Sequence, residues 1–193
     1  MGQRLGRMTP ERHDSRAREH LETARLILRR PRIGDADAVI AAYAGDAEVT
    51  RYLSWPRHRS VEQTRAFLGF SDDEWGRWPA GPYLIAEKGS GRLVGATGLA
   101  FESPWCASTG YVLARDAWGR GLATEALAAM VDVAASTGVI RLYALCHTNH
   151  AASRRVLEKG GFECEGRLRR HTMFPNSGAR GPEDAHLYSR ILA

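Results

Sequence analysis

The sequence predicts a mixed α/β (α+β) domain whose central sheet is mostly antiparallel, has about six to seven strands and is flanked by helices. Three observations carry that reading. Apolar runs of strand length alternate with segments of helical spacing from residue 24 to 191, and the 193 residues hold no internal repeat or low-complexity segment. Two such runs, 82–87 and 92–101, are joined by Lys88-Gly-Ser-Gly91, a turn composition that favours a hairpin and therefore antiparallel pairing. A third run, 107–114, leads into Trp118-Gly119-Arg120-Gly121, which opens directly onto a helix.

The elements follow in order. Residues 24–30, rich in Leu and Ile, predict the first strand. Residues 35–44 set Ala38, Ile40, Ala41 and Ala42 at helical spacing behind an acidic start, which suits the positive end of a helix dipole. Ser60-Val-Glu-Gln63 reads as a capping box for a second helix from 61 to about 75. After the hairpin and the strand at 107–114, a helix is expected from Leu122 to Ser136 and an apolar strand at 139–146. A short helix at 151–160 closes on Gly160-Gly161, and strands at 162–170 and 185–191 flank a polar Gly/Pro loop at 175–182.

This length suits one domain with a sizeable core, and two would be cramped. Residues 22–193 are read as that domain and 1–21 as a flexible tail, mixing Arg, Glu, Asp and His without an apolar stretch. No apolar run approaches the roughly 20 residues that span a bilayer, and no signal peptide is visible, so no membrane partner is expected. Cys106, Cys146 and Cys164 are odd in number and lack metal-ligand spacing, which points to reduced thiols in a cytoplasm. The net charge is +5, carried almost wholly by Arg, with Lys88 and Lys159 as the only lysines. No Cys/His finger or aromatic nucleic-acid strand accompanies it, so nucleic acid is set aside as the main partner.

The chemistry starts at the glycine turn. Two glycines allow backbone conformations closed to other residues, and the first amides of the following helix have no internal acceptor. With the helix dipole they make an anion site suited to a phosphate or pyrophosphate, to which Arg120 adds a charge-assisted contact. A dinucleotide fold would need a third glycine where Thr124 stands and an acidic residue about 20 positions on, and a P-loop would need a Gly-Lys-Ser/Thr ending. Both are missing.

Residues 110–127 resemble the acyl-CoA-binding motif of the GNAT superfamily of N-acyltransferases, [QR]-x-x-G-x-[GA] entering a helix. A second segment, His150-Ala-Ala-Ser153-Arg-Arg-Val-Leu-Glu-Lys-Gly-Gly161-Phe162, is similar to the N-x-x-S pattern of the RimJ/RimL-like branch, the ribosomal-protein N-terminal acetyltransferases. Flanking patterns at 24–30, 49–55 and 165–169 agree, so the resemblance covers about residues 22–193. Three positions depart from it: Asp116 stands where Gln or Arg is usual, His150 where Asn is usual (with Asn149 just before), and Leu157 where many relatives carry a tyrosine beside the thiol.

The resemblance implies a GNAT-like sheet with helices on both faces and acetyl-CoA as acyl donor, with no metal. The cofactor would lie along Val112, Leu113 and Ala114, on the turn Trp118, Gly119, Arg120 and Gly121, and on the first helical residues Leu122, Ala123 and Thr124. Asn149, His150 and Ser153 would complete its site. Ser153 would stabilise the departing thiolate by a hydrogen bond. Glu102 is the best-placed carboxylate for a general base, with Glu48, Asp72 and Glu74 as alternatives, although an α-amine with a pKa near 8 is partly neutral without one. His147-x-x-His150 lacks further ligands for a metal, and Cys146, inside a strand, reads as packing rather than as an acyl carrier. Trp55, Trp75 and Trp78 fall where the family builds its acceptor pocket; their competing role is packing.

The function expected is direct transfer of an acetyl group, in a ternary complex, to a primary amine: a protein N-terminus such as that of a ribosomal protein, or a small-molecule amine. A non-catalytic acyl-CoA-binding regulatory module is the alternative, and a homodimer paired through the last strands stays open.

Overall fold

The computed structural model describes residues 16–192. Among them the strands form one sheet in the order β1-β2-β3-β4-β5-β6-β8-β7. The strands are β1 (His20–Glu22), β2 (Leu26–Arg29), β3 (Pro82–Glu87), β4 (Leu93–Ser103), β5 (Cys106–Leu113), β6 (Arg141–His147), β7 (Glu163–Thr172) and β8 (Glu183–Ile191). Every neighbouring pair is antiparallel except β5 with β6. The sheet thus has one strand more than the upper expectation. The addition is β1, whose three residues carry no apolar alternation and which is held by register with β2, His20 opposite Arg29 and Glu22 opposite Ile27.

Residues 16–21, read as part of a tail, are tied to the domain. Arg16 Nη1 donates to Trp75 O at 2.7 Å, the Ala17 amide to Pro79 O at 2.8 Å, and Tyr83 OH to Arg18 O at 2.8 Å. Residues 1–15 of that stretch lie outside the described residues.

The helices are α1 (Ala36–Val39), which widens into a π-helical turn over Ile40–Ala44, α2 (Val61–Arg77), α3 (Leu122–Ser136) and α4 (Ala151–Lys159). Ser60 Oγ accepts from the Gln63 amide at 3.5 Å, as the capping motif requires. Gln63 reaches back one residue further than expected and accepts from the Arg59 amide at 2.6 Å. α3 covers one face of the sheet through Ala126, Leu127, Met130 and Ala134, all fully buried in the main core. Its alanines let it lie close to β4 and β5. On the other face, Val39, Tyr43 and Ala44 pack on Leu84 and Ala96, with Val112 and Trp55 at the edge of that smaller cluster. No helix among the described residues is long and apolar enough to cross a membrane.

The feature that positions the site is the meeting of β5 and β6. They pair in parallel only at Cys106–Arg141, Ala107–Leu142 and Ser108–Tyr143. Beyond Ser108 they diverge, while β5 stays paired with β4 as far as Leu113 and β6 with β8 as far as His147. The sheet therefore splits at its centre into a wedge, open where β5 and β6 end.

Gly95 keeps β5 in place: a Cβ there would stand 2.1 Å from Val112 O and 3.1 Å from Leu113 Cα. Gly95→Ala should therefore push β5 outward and lower stability by about 1–3 kcal/mol, the usual cost of overpacking, read as a lower urea midpoint at unchanged m-value.

Candidate active site

β5 ends at Leu113, and one 3₁₀ turn (Arg115–Ala117) brings the chain to Trp118. Gly119 and Gly121 have φ of +71° and +78°, the left-handed region that side chains with a Cβ resist. Gly121 caps α3 without any side-chain acceptor. The amides of Leu122, Ala123 and Thr124, in the first turn, have no intrahelical carbonyl to meet, so the donors from which the sequence predicts an anion site are open. Its frame is tied to the start of the sheet by Glu125. That carboxylate accepts from Thr23 Oγ1 at 2.5 Å, from the Arg25 amide at 2.8 Å and from Arg25 Nε at 2.7 Å, and Arg25 Nη1 donates to Arg120 O at 2.8 Å. Arg120 itself is paired with Glu87 at 2.5 Å, so a phosphate here would share that guanidinium rather than find it free. Asp116, at the departing motif position, is bound by Arg92 at 2.5 Å. A cavity of about 360 Å³ adjoins the turn, between Arg25, Lys88, Arg120 and Leu122.

The backbone of β5 corrects one expectation. Val112, Leu113 and Ala114 were read as a block, but strand alternation divides them. The Ala114 amide donates to Val94 O at 2.8 Å, and Val112 lies opposite Ala96 in the same register, so both turn their backbone groups to β4. Tyr111 and Leu113 turn theirs into the wedge. The Leu113 carbonyl is already taken by Trp118 Nε1 at 2.8 Å, which leaves the Tyr111 amide and carbonyl and the Leu113 amide facing the opening.

Across the wedge, α4 presents Ser153. Its Oγ and its carbonyl O each lie 3.0 Å from the Tyr111 hydroxyl, which donates to the carbonyl. Leu157, at the family's tyrosine position, is buried in the core, yet a phenol does reach this serine, supplied by the facing strand. Burial pushes that phenol above its ordinary range, so it keeps its proton and acts as a donor. Cys146 lies beside them, buried, its thiol also raised first by burial.

The end of β6 opens onto the other face. His147 is buried, stacks on Tyr52 at 4.6 Å between centroids and meets Phe174 edge-on at 4.7 Å. His150, the N-cap of α4, packs on the same Tyr52 at 4.9 Å, and burial followed by the neighbouring His147 lowers its pKa, favouring the uncharged form at neutral pH. The two histidines are thus committed to an aromatic wall. Asn149 is exposed, with its amide on His147 Nδ1 at 3.0 Å. Asn176, from the β7–β8 loop, closes this side: Nδ2 donates to Thr50 O and Trp55 O, and Oδ1 accepts from the Arg57 amide, each at 2.9 Å.

Other predicted residues are not brought here. Glu102 lies at the closed end of the wedge, bonded by Tyr143 OH and Cys106. From Cys106 to Leu113, β5 runs about 23 Å at 3.3 Å per residue, too far for a base at the open end. Glu48 is paired with Arg115 at 2.8 Å, and Asp72 with Arg30. Trp75 is a core residue, 2% exposed, its Nε1 on Pro82 O at 2.8 Å. Trp78 stacks on Phe101, also toward the closed end. Of the three tryptophans only Trp55, tilted on His58 at 5.1 Å, lies on the side closed by Asn176.

A split sheet with a glycine-capped helix at the cleft offers open backbone donors to a phosphate-bearing ligand. Residues 25–163 match the family described as Acetyltransferase (GNAT) domain, and the chain belongs to that family. It is 33% identical over 179 residues, 89% of this chain and 96% of the relative, to the uncharacterized N-acetyltransferase YoaA of Bacillus subtilis (strain 168). It is 31% identical over 154 residues (78% and 86%) to the uncharacterized N-acetyltransferase p20 of Bacillus licheniformis. Among solved structures, RimL, the ribosomal L7/L12 alpha-N-protein acetyltransferase in complex with coenzyme A, superimposes with a TM-score of 0.80 at 22% identity, covering 90% of this chain and 98% of that one.

Gly121→Val should lower acetyl-CoA affinity at least about tenfold, because a β-branched residue resists φ near +78° and misplaces the amides; a tenfold change corresponds to about 1.4 kcal/mol, measurable by calorimetric titration.

Proposed function

We propose that this protein moves an acetyl group from acetyl-CoA to a primary amine by direct transfer, both substrates being bound together. The observation that supports this most is the wedge itself: unpaired backbone groups of Tyr111 and Leu113 lead from the open amides of α3 to the Tyr111–Ser153 pair. In this reading the first turn of α3, with Gly119 and Gly121, holds the pyrophosphate, and the free edge of β5 receives the pantetheine arm as an added strand would be received.

Acetyl-CoA supplies an acyl carbon activated as a thioester. The amine nitrogen forms the C–N bond as the C–S bond breaks. The amine gives up one proton and the departing sulfur takes one, so acetyl and proton change places. Tyr111, protonated, turns its O–H from the Ser153 carbonyl to that sulfur and donates to it, while Ser153 Oγ holds the phenol oxygen in place. The buried, protonated thiol of Cys146 is unsuited to carry the acetyl group. No strong base is needed for an α-amine, part of which is neutral near pH 7–8. A protein N-terminus, as the name of the RimL relative describes for L7/L12, is the first acceptor to try, with small-molecule amines second. The free thiols of Cys106, Cys146 and Cys164 support a reducing, cytoplasmic setting.

Thermal unfolding with acetyl-CoA, CoA, NAD and ATP tests the donor: a ligand at about a hundred times its Kd adds about 2.7 kcal/mol. Stabilisation by NAD or ATP alone would overturn the reading, and acetyl-CoA binding without turnover on any amine would favour a regulatory module. Tyr111→Phe should reduce kcat about 10²-fold, the scale of losing a general acid, while acetyl-CoA affinity holds. Ser153→Ala should cost less, roughly tenfold, since it removes one positioning hydrogen bond.

A further inference from the structure

Carboxylates in this protein are usually met by arginine: Asp35 by Arg29, Glu125 by Arg25, Glu165 by Arg141, Asp184 by Arg167. Glu183, the first residue of β8, is met by uncharged donors instead, as Glu102 and Glu158 are. Its Oε1 accepts from Ser177 Oγ and its Oε2 lies 3.2 Å from His147 Nε2. His147 Nδ1 accepts the Asn149 amide, so a ring proton on Nε2 faces the carboxylate. Among the described residues no Arg or Lys pairs with Glu183. The hydroxyl of Ser177, followed by His147, nevertheless holds its pKa below the ordinary carboxylate range. The structure therefore keeps a negative charge, partly buried, at the end of the wedge.

Its place in the sheet gives this charge a direction. Ala185 lies opposite His147, and side chains alternate along β8, so Glu183 shares the face of His147, Tyr52 and Phe174. Cys146, one residue earlier, points the other way, toward α4 and Ser153. The wedge thus has the leaving-group pair on one face and an uncompensated carboxylate beside an aromatic wall on the other. About a quarter of the Glu183 side chain is exposed, and each oxygen, with a single donor, has an acceptor position left.

We infer that Glu183 is the anchor of the acceptor: a primary ammonium docks on its open carboxylate positions, with the apolar group next to that ammonium against Tyr52 and Phe174. This rests on the acetyl-transfer reading and names the substrate class of that site, a cationic amine with an apolar neighbour. Glu183 binds the ammonium as it arrives; the ammonium releases its extra proton to solvent water before the neutral nitrogen attacks, and His147 and Ser177 are positioning residues that hold the carboxylate in orientation.

The test varies the amine at saturating acetyl-CoA, using alanyl- and seryl-initiated hexapeptides, phenethylamine and spermidine, on wild type, Glu183→Gln and Ser177→Ala. Acetyl-CoA affinity is titrated separately. Expected is a rise in amine KM of about tenfold or more for Glu183→Gln and a smaller one for Ser177→Ala, with kcat and acetyl-CoA Kd changing less than about twofold. Ser177→Ala keeps the question open to measurement if Glu183→Gln does not fold. An amine KM unchanged in both variants overturns the anchor, as does a parallel loss of acetyl-CoA affinity, the mark of a structural role. Acetyl-CoA binding by wild type with no turnover on any of these amines overturns it too. Failure of wild type to bind acetyl-CoA at all would instead remove the acetyl-transfer reading on which it stands.

Discussion

Backbone amides and carbonyls away from water need partners, and this sheet leaves a row of them without one at its centre. β5 and β6 exchange strand contacts for three residue pairs and then separate, although each stays fully paired on its other side. A sheet that loses pairing in its middle is costly unless something else fills the gap. The glycine turn, α3 and α4 are all arranged around that gap. The short parallel contact at Cys106–Ser108 acts as the hinge of the wedge, and the network of Glu102, Tyr143 and Cys106 ties it closed at that end.

Because strand side chains alternate, opening the sheet between two strands gives access from both faces without a tunnel. Each face then has its own chemistry. On the α4 face a protonated phenol and a serine meet; on the other, two imidazoles and a carboxylate sit in an aromatic frame. Under the proposed function, the groups assigned to leaving-group departure are separated from those assigned to the incoming amine by the thickness of one sheet. Only the wedge joins them.

The parts legible in the sequence were those with a local signature. The hairpin, α3 from Leu122 to Ser136 and the capping of α2 by Ser60 each follow from a few adjacent residues, as does the glycine turn. What the sequence could not show were partnerships across distance. Tyr111 and Ser153 are 42 positions apart, and His147 and Glu183 are 36 apart. The tyrosine missing at Leu157 of α4 leaves no local sign that a phenol reaches Ser153 from β5. Glu102, at a strand end, and Trp75, in the stretch where the family builds its acceptor pocket, carry no local sign that one lies at the hinge and the other in the core. β1 escaped notice because three residues carry too little pattern to separate from a loop. The block of Val112 to Ala114 failed for a simpler reason: pairing with β4 decides which backbone groups are free, and pairing is not written in one strand.

Asn176 spans two stretches of chain that are far apart in sequence, the loop between β7 and β8 and the segment before α2, with three hydrogen bonds to backbone groups. Since it grips main chain, it constrains the path of that segment while leaving its side chains free to change. Descendants of this chain can therefore alter what the acceptor side prefers by exchanging residues around Trp55 and Arg57 one at a time. Lengthening either loop is another matter. An insertion would break the clasp, and both walls would have to be rebuilt together, so substrate preference should drift by substitution and jump only where the two loops change in concert.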